Sequence, residues 1–166
     1  MRIVLQRVSR ASVRVGGELV ADIGPGFLLL VGVGLNERDD EPGRLAEKVF
    51  HLRVFEDRDG KMNLALTEVG ASVLVVPQFT LYGDWRRGRR PSWAGAAPPE
   101  RAAARVEELA AALEGLGARV SRGWFGEHME LELVNDGPVT LVLDRLRPVA
   151  PPRMAGVWGV QGVKAP

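Results

Sequence analysis

Two stretches of the chain are apolar at nearly every position. "GPGFLLLVGVG" (24–34) is bounded by glycines, and "ASVLVVPQFTLYG" (71–83) starts apolar and ends in alternating polar residues. Runs of this length and character predict strands buried on both faces. Upstream, "SVRVGGELVADI" alternates apolar and polar residues around Gly16-Gly17, a pair suited to the positive φ angles of a tight turn, and predicts a hairpin. Between about 40 and 54, Leu45, Ala46, Val49, Phe50 and Leu52 form an amphipathic helical pattern, with Asp39 or Asp40 as cap and Pro42 in the first turn. "DRDGKMNL" reads as a turn entering a short strand. The plainest helix is "PPERAAARVEELAAALEGLG" (98–117). Val106, Leu109, Leu113 and Leu116 form its apolar stripe, prolines open it and glycines close it. Three strands are then expected, roughly 119–125, 128–135 and 138–145, with "NDG" turning the last two into a hairpin.

The predicted order is β-β-β-α-β-α-β-β-β, an α/β single domain of layered mixed sheets with two main helices. The domain is expected to span 1–146. Residues 147–166, "RPVAPPRMAGVWGVQGVKAP", lose all periodicity and predict an irregular tail docked through Trp158. No internal repeat appears.

Composition narrows the chemistry. The 166 residues suffice for one domain with its own core. The absence of cysteine excludes a disulfide framework, a thiolate zinc site and a cysteine nucleophile. A net charge of +1 means that a nucleic-acid partner would be held by a local patch rather than by bulk charge. "MRIVLQRVSR" lacks the features of a signal peptide, and the longest apolar run falls short of a membrane helix, so a cytoplasmic protein without membrane contact is expected. His51 and His128 are isolated from any ligand-like cluster. No metal or other cofactor is expected.

Three segments carry candidate chemistry. "PQFTLYGD" (77–84) ends a buried strand with Gln78, Thr80, Tyr82 and Asp84, the setting of many α/β ligand sites, although a strand emerging into solvent shows the same alternation. "WRRGRRPSW" (85–93) gathers Arg86, Arg87, Arg89 and Arg90 between Trp85 and Trp93. It reads either as an RNA-binding loop with bases stacked on the indoles or as a solvated basic loop. "VNDGPVT" (134–140) reads as a turn, in which glycine would let a ligand approach the backbone.

Taken together, "MRIVLQRVSRASV", "GKMNL", "SVLVVPQFTLYGD", "RRGRRPSW" and "FGEHMELELVNDGPVT" resemble the D-aminoacyl-tRNA deacylase family, up to about Leu146. The resemblance implies hydrolysis of the ester between a D-amino acid and the terminal adenosine of tRNA. It implies a homodimer in which a cis Gly137-Pro138 peptide reaches the partner's Gln78-Phe79-Thr80, so that aminoacyl-tRNA binds at the subunit interface. It points to Arg7 as the support of the Gly-Pro carbonyls and to Phe125 and Met129 as lining an adenosine pocket. Asn135 and Thr140 are expected to tie down the Gly-Pro segment. One departure stands out: where the family has serine before Gln-Phe-Thr, this chain has Pro77, which offers neither a hydroxyl nor an N–H.

With no base beside Thr80, the expected chemistry uses backbone donors at Phe79 and Thr80 for the oxyanion and the tRNA's own 2′-hydroxyl for assistance. A tRNA-binding module without catalysis and a hydrolase of free D-aminoacyl esters are the rival readings.

Overall fold

The computed structural model describes residues 1–86 and 88–144. Arg87 and the segment expected to form a tail docked through Trp158 lie outside the described residues. The element order is β1 (Arg2–Val15), β2 (Glu18–Ile23), β3 (Gly26–Gly32), α1 (Glu41–Phe50), β4 (Phe55–Glu56), β5 (Met62–Leu64), β6 (Ser72–Pro77), a 3₁₀ turn (Phe79–Tyr82), α2 (Pro99–Gly115), β7 (Arg119–Arg122) and β8 (Met129–Asp144).

The long first strand organises the sheet. Along one edge β1 pairs antiparallel with β8 over nearly its whole length. Along the other it pairs first with β3 and then with β2, both antiparallel. Beyond β3 the sheet continues in parallel through β6 to β7. The mixed α/β architecture and the two helices agree with the apolar pattern.

The two continuous apolar runs are strands covered on both sides, as the absence of alternation predicted. Phe27, Leu29, Val31, Val73 and Val75 face α1 and α2, where they meet Ala46, Val49, Phe50, Val106, Leu109 and Leu113. Leu28, Leu74 and Val76 face the opposite way, into a second core with Val8, Val13, Ala21 and Ile23. The α2 stripe therefore sits on the sheet through Val106, Leu109 and Leu113.

Three local expectations change. At the start of α1, Asp40 takes the cap position, but its carboxylate accepts from Arg38 at 3.0 and 3.1 Å and caps nothing. The polar end of the 71–83 run is no strand: β6 stops at Pro77, and the chain turns into the 3₁₀ segment.

The third change is the largest. No hairpin forms at Asn135-Asp136-Gly137, because both flanking segments belong to the single strand β8. Gln6 pairs with Thr140 and Val8 with Asn135, so residues 136–139 bulge out opposite the one residue Arg7. Turn propensity reads only near neighbours, whereas β1 offers both halves of β8 one continuous partner.

Candidate functional site

The segment Gln78-Phe79-Thr80 leaves the C-terminal end of β6 beside β3, the end of a parallel pair where α/β sheets commonly hold ligands. Gln78 N–H still donates to Val31 O at 2.8 Å, closing the ladder. The tight turn follows, with Leu81 N–H donating to Gln78 O and Gly83 N–H to Thr80 O. The first N–H groups of such a turn have no acceptor within it. Among the described residues, no backbone acceptor faces the N–H groups of Phe79 or Thr80. They are free to stabilise negative charge.

The Thr80 hydroxyl accepts from the Gln78 side-chain amide, a donor that cannot take up a proton. The two imidazoles lie outside this cluster: His51 ends α1 and meets Glu47 at 3.3 Å, and His128 lies between β7 and β8.

Arg2 holds the turn from beneath. It donates to Leu81 O, pairs with Asp144 at 2.6 Å and places its guanidinium 5.0 Å from the Tyr82 ring centre. Burial above all, with Asp144 adding to it, pushes the Tyr82 phenol up to about 12, so it remains a neutral donor at neutral pH. Phe79 is 55% exposed, and its ring meets Trp93 edge-on at 5.4 Å. The Trp93 ring occupies the space that a Cβ on Gly83 would need, 2.6 Å away, so a side chain there would have to displace the ring. Trp93 thus acts as a wall of the turn. No local sequence signal marked Arg2 or Trp93 for these roles, because the turn they hold meets them only in the fold.

Pro77 lines a cavity of about 500 Å³ with Phe125, Trp124, Val75, Val106 and Arg122. This joins Phe125 to the Gln78 segment. Arg122 fixes the rim of the cavity by pairing with both Glu107 and Glu114 on α2. Met129 belongs to the second core instead, and its sulfur occupies the space that a Cβ on Gly123 would fill, 2.8 Å away.

The bulge in β8 is braced from inside the protein. Arg7 is only 3% exposed. Its Nε donates to Asp136 O at 3.2 Å and its Nη1 to Val54 O at 2.5 Å, while the carboxylates of Asp136 and Glu56 lie at 3.2 and 3.6 Å. A short β4–β5 hairpin supplies Val54's neighbours Phe55 and Glu56, a partnership that the sequence did not reveal. Asn135 ties the neck of the bulge: its amide donates to Arg7 O at 2.8 Å and Val139 O at 3.0 Å, and its oxygen accepts from Thr140. The Gly137-Pro138 peptide is cis, and both residues are exposed. Gly137 has φ +111, and a Cβ there would meet Arg7 Nη2 at 2.7 Å, so no other residue fits without displacing the brace.

Within one chain these two elements do not meet. Arg7 pairs with Phe27, and Phe27 with Val73, which places the bulge near the start of β6. Gln78 is five residues further along, about 16 Å at strand rise.

The basic loop is closed by mutual Asp84–Ser92 backbone hydrogen bonds of 2.8 and 2.9 Å. Arg86 turns back on Asp84 with two side-chain hydrogen bonds of 2.8 and 2.7 Å, and these hold the Asp84 carboxyl down at about 2. Arg89 and Arg90 are exposed, and Arg87 lies outside the described residues.

A strand-end turn with free backbone donors, an adjoining cavity and a braced glycine bulge is a set of features suited to acyl-group chemistry. Residues 4–144 match the family described as D-Tyr-tRNA(Tyr) deacylase. The chain is 57% identical over 144 residues to a D-aminoacyl-tRNA deacylase of Thermomicrobium roseum, covering 87% of this chain and 94% of that one. It is 55% identical to the deacylase of Desulforudis audaxviator over 87% and 97% of the two chains. Among solved structures, "c-Myc DNA Unwinding Element Binding Protein" superposes with a TM-score of 0.81 at 36% identity, over 87% of this chain and 98% of that one. "A probable eukaryotic D-amino acid tRNA deacylase" shares the fold, with a TM-score of 0.70 at 18% identity over 86% and 97%. The chain belongs to the D-Tyr-tRNA(Tyr) deacylase family. It is a hydrolase that acts on D-aminoacyl-tRNA.

Proposed function

We propose that the protein works as a homodimer in which each chain's Gly137-Pro138 bulge enters the partner's Gln78-Phe79-Thr80 site and rejects L-amino acids there. The observation that carries this reading is that, in a single chain, the two elements lie about 16 Å apart along the strands and on strands three places apart in the sheet. A two-fold contact would satisfy both at once and create two equivalent sites. Gly137 and Pro138 are exposed, while the carbonyl just before them, Asp136 O rather than a Gly-Pro carbonyl, is held by Arg7 from a buried position, an arrangement suited to presenting backbone to a partner.

D- and L-aminoacyl groups carry the same substituents, so a filter must act by shape. It fixes the amino group, the carbonyl and the α-hydrogen, and leaves no room on the L side. A backbone segment held by Arg7 and Asn135 yields less than a side chain would. Glycine has no side chain to exclude, so glycyl-tRNA should also be cleared.

In the reaction, water adds to the ester carbonyl carbon, and the ribose oxygen leaves with a proton. The N–H groups of Phe79 and Thr80 are suited to the developing oxyanion, a role worth about 2.7–4 kcal/mol per donor in other hydrolases. The tRNA's 2′-hydroxyl assists proton movement, since among the described residues the Thr80 hydroxyl has only an amide partner. Terminal adenosine fits the cavity of Pro77 and Phe125, and Met129 acts behind it. Arg87, Arg89 and Arg90 contact tRNA phosphates, while Arg86 is held back by its pairing with Asp84. Pro77 in the serine position is compatible with this scheme, which uses no hydroxyl there.

The test is hydrolysis of D-tyrosyl-, L-tyrosyl- and glycyl-tRNA side by side. The first and third should be cleaved, and the second should survive by about a hundred-fold, or about 2.7 kcal/mol. Comparable cleavage of L-tyrosyl-tRNA would overturn the filter, and a fully active monomer would overturn the shared site.

A further inference from the structure

Trp85 is the most exposed large apolar side chain among the described residues, at 76%. The other indole of the loop does something different. Trp93 is packed against Phe79 and over Gly83 and so serves the 3₁₀ turn. Trp85 makes no ring contact among the described residues. Leaving an indole in water forgoes the stabilisation that burial of a large apolar side chain can bring. No contact within the described fold accounts for it there.

Its position is nevertheless well defined. It directly follows Asp84, whose backbone is bonded in both directions to Ser92. On its other side, Arg86 is locked to Asp84 through both side chains and through the Arg86 N–H. The indole thus projects from the base of a closed loop whose nearest cation is already neutralised. Arg89 and Arg90 remain exposed further along the loop, with no acidic partner among the described residues. A flat apolar ring beside unpaired cations is the chemistry that binds single-stranded nucleic acid, by base stacking together with phosphate contact. A duplex hides its base faces and would use only the cations.

The loop also lies close to the reacting turn. Trp85 lies five positions after Thr80, so their Cα atoms are at most about 18 Å apart. At about 3.4 Å per stacked nucleotide, that distance spans no more than about five nucleotides. The unpaired 3′ end of a tRNA can reach from one to the other.

Resting on the reading that the tRNA ester lies at Gln78-Phe79-Thr80, we propose that Trp85 stacks on an unpaired base of the tRNA 3′ end, a few nucleotides before the terminal adenosine, while Arg89 and Arg90 hold the adjoining phosphates.

The experiment measures binding of the full chain to an uncharged eight-nucleotide RNA ending in CCA and to a blunt RNA duplex of the same length. The proteins compared are wild type, Trp85→Ala, Trp85→Phe and the double variant Arg89→Ala/Arg90→Ala. Trp85→Ala should weaken single-strand binding by about 5- to 150-fold and leave duplex binding unchanged. Trp85→Phe should recover most of the affinity. Trp85→Ala should keep the salt slope, whereas the double arginine variant should flatten it by about 0.7 for each phosphate no longer neutralised. Unchanged single-strand affinity in Trp85→Ala, an equal weakening on the duplex, or wild-type affinity no greater for the single strand than for the duplex would each overturn the proposal. So would a shift in sedimentation of Trp85→Ala, which would mark the indole as a contact between copies of the chain. Because these RNAs carry no ester, the result is separate from that of the chirality test. Failure here with D/L discrimination intact removes only the stacking role.

Discussion

Changing Asn135 to Asp tests whether the bulge must be held shut to act. The substitution is nearly isosteric, but it replaces an amide that donates twice with a carboxylate that donates nothing. Arg7 O and Val139 O, now 2.8 and 3.0 Å from the amide nitrogen, would each lose a donor and face a negative charge. The Thr140 hydroxyl can still donate to the remaining oxygen and is exposed to water, so it adds little. At about 0.5–1.5 kcal/mol net for each of two broken hydrogen bonds, the cost is about 1–3 kcal/mol. Asn135 is half-buried, so water replaces part of the loss, and the lower half of that range is the better guide. For a chain of this size, 1–3 kcal/mol corresponds to a fall of about 2–12 °C in Tm. The variant should remain folded, given a usual stability of about 5–15 kcal/mol. Its selectivity should suffer more than its stability, because a shift of about 1 Å in a positioning element can cost on the order of a hundred-fold. The assay pairs a thermal melt with initial rates on D-tyrosyl- and L-tyrosyl-tRNA. The expected result is a modest fall in Tm with at least about a ten-fold fall in the D/L rate ratio. A folded Asn135→Asp protein with the wild-type ratio would refute the idea that the neck of the bulge sets chirality.

Two further outcomes follow from the site. Thr80→Ala should lose no more than about ten-fold in rate, since only one side-chain hydrogen bond of about 0.5–1.5 kcal/mol disappears; a loss above about a thousand-fold in a folded protein that still binds tRNA would make Thr80 the nucleophile. Asp84→Asn should release Arg86 and steepen the salt dependence of tRNA binding by up to about 0.9, measured by titration at several salt concentrations; an unchanged slope would show that Arg86 stays away from phosphate. The sign with pH is set by Arg86. Because the folded-state carboxyl sits at about 2, below its usual range, the pairing is complete above about pH 4 and is lost only as pH falls through about 2. In the wild type, Asp84 should therefore add no pH dependence to tRNA binding between about pH 5 and 8.

How much could be read without coordinates depended on whether the cause was local. Continuous apolar runs at 24–34 and 71–77 specified strands covered on both faces, because a strand with one wet face must alternate. The stripe from Val106 to Leu113 specified α2 and its buried side by the same logic at helical period. Motif identity brought out Gln78, Phe79, Thr80, Gly137 and Pro138 as a set. Three things were decided only by the tertiary structure. Asn135-Asp136-Gly137 has the composition of a turn, but β1 pairs with both of its flanks, so the segment bulges from one strand and the hairpin never forms. The resemblance pointed to Arg7 as a support of the Gly-Pro carbonyls, but its burial and its actual acceptors were not legible: these arrive from Val54 and Asp136, 47 and 129 positions away. The spacing between the bulge and the Gln78 turn comes from sheet register, a property of three paired strands that no single segment encodes. Local pattern selects elements and the faces they bury; which backbone groups then find one another depends on partners far apart in the chain, and that is where this site is made.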